Sequence, residues 1–167
     1  MVLFDLWMYW WHRFLHVIPF LWRFHRMHHS DPTMNVTTAL RFHIGELILS
    51  SVIRWGIFYV IGMTLGTLLM YETLMMPVIY LQHSNWYFPS RIDRVYRLVF
   101  ASPWMHWVHH SNYQPETDSN YGTILSCWDR LFGSYRINPR PLSIDYGLPE
   151  YREGTWQSLW GLFRTPL

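Results

Sequence analysis

Cysteine is nearly absent from this chain. Cys127 is the only one in 167 residues, which excludes an internal disulfide and any zinc motif built on cysteine. It lies in an apolar stretch and reads as a packing residue rather than a nucleophile. Lysine is missing altogether, so all 13 basic side chains are arginine, set against 11 acids. The net charge of +2 is too small to argue for a nucleic-acid partner. No Glu-x-x-His occurs, which removes the soluble di-iron bundles that use that ligand pair. No haem, flavin or nicotinamide motif is visible. The first residues carry neither a basic n-region nor a small-residue cleavage site, and no signal peptide is expected.

What the chain has in abundance is apolar and aromatic surface. Half of its residues are hydrophobic, and 11 Trp, 11 Tyr and 10 Phe make it 19% aromatic. The length suits one domain, and aromatic residues of this kind gather where a protein meets the membrane interface. Met1 to Trp11 is apolar apart from Asp5 and leads into His12-Arg13-Phe14-Leu15-His16. Pro19 kinks or restarts this helix. A second short helix carries Trp22 to His29 and stops at Asp31-Pro32.

Leu47 to Leu81 is the longest apolar stretch, interrupted by Arg54, Glu72 and three glycines. As one helix its 35 residues would be about 52 Å long, against roughly 30 Å of bilayer core. Two spans of about 17 residues, turning near Gly62 to Gly66, fit better. A long hairpin in a soluble core is the competing reading, supported by Arg54 and Glu72. Further on, Arg91 to Ala101 reads as an amphipathic surface helix. Pro103 opens a short helix through His110, followed by polar loop from Ser111 to Asn120. Tyr121 to Phe132 is apolar again and ends at Gly133. The last thirty residues read as an irregular tail with a short Trp-rich helix.

The ten histidines carry the chemistry. They fall at 12 and 16, at 25, 28 and 29, singly at 43 and 83, and at 106, 109 and 110. Residues three and four apart share a helix face, so each group points one way. One H-x-x-x-H and two H-x-x-H-H patterns in so short a chain are not scattered surface histidines. Burying eight or nine imidazoles without partners costs several kcal/mol, and binding metal removes that cost. A zinc site takes about four ligands, so this number suits two metals, with each H-x-x-H-H helix contributing to both. Imidazole accepts Zn, Cu, Fe and Ni, and ligand type alone does not choose among them. The competing readings are a membrane electron carrier with haem between paired histidines, and a truncated, non-catalytic metal-binding chain.

Taken together, several motifs resemble the fatty acid hydroxylase / sterol desaturase superfamily. They are His12-x-x-x-His16, His25-Arg26-Met27-His28-His29-Ser30-Asp31-Pro32, Leu40-Arg41-Phe42-His43-x-x-Glu46 and Gln82-His83-Ser84-Asn85. His106-Trp107-Val108-His109-His110-Ser111 and Asn120-Tyr121-Gly122, followed by Trp128-Asp129-Arg130-Leu131-Phe132-Gly133, complete the set. The resemblance implies an all-α, integral membrane bundle with a transmembrane hairpin and cytosolic-side helices carrying a His-rich di-metal site. It implies a non-haem di-iron oxygenase that uses O₂ to hydroxylate or desaturate a lipid: a sterol, fatty acyl chain, ether lipid or carotenoid. Zinc is expected to substitute for iron in purified protein.

Carried over residue by residue, the metal ligands are His12, His16, His25, His28, His29, His83, His106, His109 and His110. By analogy His12, His25, His28, His106 and His109 favour one metal, and His16, His29, His83 and His110 the other. His43, Asp118 and Asn120 are candidates to orient the imidazoles from behind; Asp118 and Asn120 equally suit helix capping. Trp128-Asp129-Arg130 reads as structural. The glycosylation sequon at Asn35 lies between metal-ligand segments and is not expected to be used. Electrons must come from a separate donor, of cytochrome b5 or ferredoxin type with a reductase, docking on Arg91, Arg94 and Arg97 unless these bind lipid headgroups. The expected location is a bacterial inner membrane or the endoplasmic reticulum, with the site on the cytoplasmic side. Residues 1–150 are expected to form the catalytic domain, without the upstream hairpin that the resemblance implies, and 151–167 a tail helix.

Overall fold

A computed structural model describes all 167 residues as helices and connecting loops without strands. Helix α1 spans Val2–Val17 and α2 spans Pro19–His29. Only Ile18, in extended conformation, separates them, because Pro19 cannot continue the ladder and takes the first position of α2 instead. Asn35 then caps a turn of tighter helix at Val36–Leu40 through a reciprocal pair of bonds with Thr37 and Thr38. That use of its side chain gives the sequon at Asn35 a structural role.

The long apolar stretch folds as a hairpin. Helix α3 (Ile44–Val60) and helix α4 (Leu65–His83) turn back on each other at Ile61 to Thr64, where Gly62 adopts φ +65°. Arg54 of α3 and Glu72 of α4, the two charges that interrupt the stretch, meet at 3.1 Å. Phe58, Tyr71 and Met75 pack with Phe4 of α1 as one apolar cluster. Much of the outer surface of the hairpin is apolar and exposed, including Trp55, Tyr59, Val60, Leu65 and Leu69. No helix is long and apolar enough to cross a membrane. The expected hairpin is therefore present with arms of about the expected length, 17 and 19 residues, although neither is both long and apolar enough to cross a membrane.

The remaining helices are short: α5 (Ser90–Tyr96), α6 (Pro103–His109), α7 (Gln114–Thr117), α8 (Cys127–Leu131) and α9 (Leu159–Arg164). The surface helix predicted for Arg91 to Ala101 stops at Tyr96. Within it Arg97 pairs with the fully buried Asp93, which takes that arginine out of the expected basic face. Helix α6 starts where Pro103 predicts it, capped by Ser102, and is buried along its whole length. Cys127 is exposed, contrary to its reading as a packing residue.

The apolar segment after Asn120 is mostly loop, for a physical reason. Two buried carboxylates satisfy its backbone amides and so replace the helical bonds it would otherwise need. Asp5 accepts from the amides of Ile124 and Leu125 at 3.2 Å each, from the Trp128 indole at 2.8 Å and from the Tyr71 hydroxyl at 2.8 Å. Asp129 accepts from the amides of Tyr121 at 2.7 Å and Gly122 at 3.0 Å and from the Ser134 hydroxyl. The tail returns to α2, where Arg26 donates to the Thr165 carbonyl and Gln157 to that of Ser30.

Candidate metal centre

Four segments bring nine imidazoles to one place. His12 and His16 come from α1, His25, His28 and His29 from α2, His83 from the end of α4, and His106, His109 and His110 from α6 and its C-terminal cap. They form two groups, in each of which one ring nitrogen per residue lies within 4.8 Å of all the others. His12, His16, His25, His29 and His109 make the first; His28, His83, His106 and His110 make the second.

This partition corrects the one drawn by analogy, which put His28 and His106 with the first metal and His16 and His29 with the second. Helix geometry explains the difference. Residues four apart point nearly the same way, so the pairs 12/16, 25/29 and 106/110 each stay together, while His28 and His109, offset on their helices, cross to the other group. His83 fixes the second group: its Nε2 lies 3.1 Å from that of His28 and 3.0 Å from that of His106. Each H-x-x-H-H helix serves both groups, as its spacing predicts.

The rings are oriented from behind. A carbonyl only accepts, so Nδ1 must be the protonated nitrogen in His12, bonded to the Tyr121 carbonyl at 3.0 Å. The same holds for His83 on Ile79 at 2.8 Å and His109 on Ser119 at 2.8 Å. His25 Nδ1 faces the Glu46 carboxylate at 3.0 Å. In all four the Nε2 lone pair is thereby presented to the group. Burial, with the neighbouring histidines, holds His28, His29, His106 and His110 well below the ordinary imidazole value, and burial above all lowers His109 to about 3. The rings are therefore neutral near pH 7, the form that ligates metal.

The nitrogens fit a cation better than they fit each other. Nε2 of His16, His25, His29 and His109 is buried without any hydrogen-bond partner, and each such orphan costs about 1–3 kcal/mol. In the second group the four Nε2 atoms stand 3.0–3.2 Å apart in a chain, His28 to His83 to His106 to His110. One cation accepts all four lone pairs at once.

Three further candidates separate clearly. His43 joins neither group: Nδ1 accepts from the Gly45 amide, capping α3, and Nε2 faces the Phe163 carbonyl at 3.2 Å. Asp118 lies 3.4 Å from His16 Nδ1 but is 39% exposed. Asn120, at φ +54°, orients no imidazole and caps no helix; it donates to the carbonyls of Met105 and Arg136 and so clamps α6. Sequence reasoning missed Glu46 as the partner of His25. Its signal was the spacing His43-x-x-Glu46, which puts a carboxylate in the first turn of a helix beside the cluster. The backbone carbonyls have no signal in the sequence at all.

Beside both groups lies a cavity of about 240 Å³. His12, His25, His28, His83 and His106 form one end, and Met8, Leu47, Met75, Met76 and Ile79 line its apolar walls. A largely apolar cavity bordered by members of two clustered imidazole sets suits a metal-dependent enzyme acting on an apolar substrate.

The comparisons with known proteins place the chain among lipid hydroxylases. A model of the fatty acid hydroxylase family matches residues 1–134, and the chain belongs to this family. It is 33% identical to the ornithine lipid hydroxylase OlsE of Rhizobium tropici, over 82% of this chain and 40% of that protein. It is 29% identical to the alkylglycerol monooxygenase of Homo sapiens (86% of this chain, 31% of that protein) and 26% identical to the human cholesterol 25-hydroxylase (84% and 51%). The chain thus spans about a third to a half of the relatives it matches. No solved structure matches it.

Proposed function

We propose that this chain is the catalytic part of a membrane-embedded lipid oxygenase holding two irons. His12, His16, His25, His29 and His109 hold one, and His28, His83, His106 and His110 the other. The observation that carries the proposal is the convergence of nine buried or half-buried ring nitrogens into two sets beside a largely apolar cavity that five of these histidines line. Bound iron supplies the reduction of O₂ and the oxidation of an unactivated C–H bond. The chain's own residues do the rest. Tyr121, Ile79 and Ser119 carbonyls and the Glu46 carboxylate hold the imidazoles in the ligating tautomer. Met8, Leu47, Met75 and Ile79 exclude water and receive an aliphatic body. Electrons come from a separate redox protein. A haem between two axial histidines uses two of the nine and leaves seven unexplained.

The test is chemical. Membranes from cells expressing the chain under ¹⁸O₂, compared with cells lacking it, should contain a lipid heavier by one labelled oxygen or lighter by two hydrogens. Mass spectrometry showing identical lipids under reducing, iron-replete conditions would count against the reading.

The exposed apolar side chains of the α3–α4 hairpin support embedding, since a patch this extensive is rarely left to water. At 17 residues α3 is about 25 Å long, a little short of a roughly 30 Å bilayer core. Because α2 and the end of α4 meet at the metal centre, the hairpin must enter and return. Single cysteines at Phe42 and Pro89, in a chain with Cys127 replaced by serine, should label from the same face of sealed vesicles. Labelling from opposite faces would contradict the hairpin.

A further inference from the structure

We infer that Glu46 is a substrate-positioning residue, whose free carboxylate oxygen accepts a hydrogen bond from an O–H or N–H donor of the lipid. The inference rests on the oxygenase reading and narrows it to lipids that carry a donor near the end that is oxidised.

Glu46 is 4% exposed, in the first turn of α3. Its Oε1 accepts a hydrogen bond from His25 Nδ1–H at 3.0 Å, but its Oε2 is buried and has no hydrogen-bond partner within the chain. A carboxylate offers about four lone-pair positions, and leaving one of its buried oxygens without a donor is costly. The metal does not account for this oxygen. Glu46 stands behind His25, on the Nδ1 side, and lies outside both nitrogen groups. No cation of the protein accounts for it either: Arg54, two turns along the same helix, is engaged by Glu72.

What adjoins Glu46 is the cavity. Glu46, Ser50 and Arg54 are spaced four apart on α3 and all line it, a polar stripe in an otherwise apolar wall. Along that stripe Ser50 is bonded to the Trp11 indole and Arg54 to Glu72. Only the member beside the imidazoles has an unfilled oxygen. A lipid entering with its donor at Glu46 leaves its apolar body against Leu47, Met75 and Met76, so the carbons nearest the donor sit by the metal centre. The reaction then falls near the polar end of the lipid rather than at a distal methyl group.

Equilibrium binding to detergent-solubilised protein tests this without turnover. Tritiated 1-hexadecanol and its methyl ether differ by the O–H donor. Wild type should bind the alcohol about tenfold more tightly, or better, as expected for a hydrogen bond to a charged group. In Glu46→Gln the amide oxygen still serves His25, so metal content should hold. An N–H₂ replaces the free oxygen, and the preference should shrink to within about twofold. Equal binding of alcohol and ether by wild type, which needs no variant, would overturn the inference. So would a preference that survives in Glu46→Gln, or loss of metal from it with the preference intact. Two metals per chain without alcohol preference would sink this inference alone, whereas preference without metal would support it and sink the oxygenase reading.

Discussion

His28→Ala should abolish lipid oxidation and His109→Ala should lower it, because the two changes act on different halves of the centre. His28 supplies one of only four nitrogens in its group, so its removal leaves three and should cost that metal outright. His109 leaves four of five behind, and its group should lose affinity by a smaller factor, with partial occupancy at saturating iron. Both side chains are buried and both rings are held neutral by burial. Truncation therefore removes a polar group rather than stranding a charge, and the fold should persist. Metal analysis of membrane-extracted protein distinguishes the two outcomes. His43→Ala should leave the metal count unchanged, because His43 bonds only to Gly45 and Phe163. Identical metal loss in all three variants would contradict the partition.

Asp129→Ala should be the most damaging change remote from the metals. Asp129 is fully buried and serves three donors at once, the amides of Tyr121 and Gly122 and the Ser134 hydroxyl. Each donor left without a partner costs about 1–3 kcal/mol, so the sum rivals the whole stability of a small domain. Damage should also reach the centre, since the Tyr121 carbonyl holds His12. Gly122 allows no easy repair: with the carboxylate gone, an added Cβ would still lie 2.8 Å from the Leu125 carbonyl. Asp129→Asn keeps one acceptor and should fall between wild type and alanine. Thermal unfolding in detergent checks the order, and an alanine variant as stable as wild type would refute it.

The histidines were legible because their spacing is a local, helical property. Proline marked the starts of α2 and α6, and the glycines near residue 62 marked the turn of the hairpin. What local pattern could not give was anything decided across the fold. The partition of the nine histidines depends on where His83 arrives from α4, a contact 55 residues away from His28 in sequence. The run after Asn120 was legible only as apolar; that Asp5, more than a hundred residues earlier, holds its amides is a contact no local pattern shows. Glu46 was visible as part of a motif but had no assigned task, since its bond to His25 spans two helices. The arms have about the expected length, 17 and 19 residues, but neither combines the length and the apolar character needed to cross a membrane.

The central claim is that these imidazoles hold two metals, and counting them tests it most directly. Protein extracted in mild detergent, loaded anaerobically with ferrous iron and freed of excess, should contain close to two irons per chain by elemental analysis, or two zincs if purified without iron. Its absorption spectrum should show no Soret band, and His28→Ala should hold about one metal. A wild-type chain with one metal or none, or a Soret band with one haem per chain, would contradict the account.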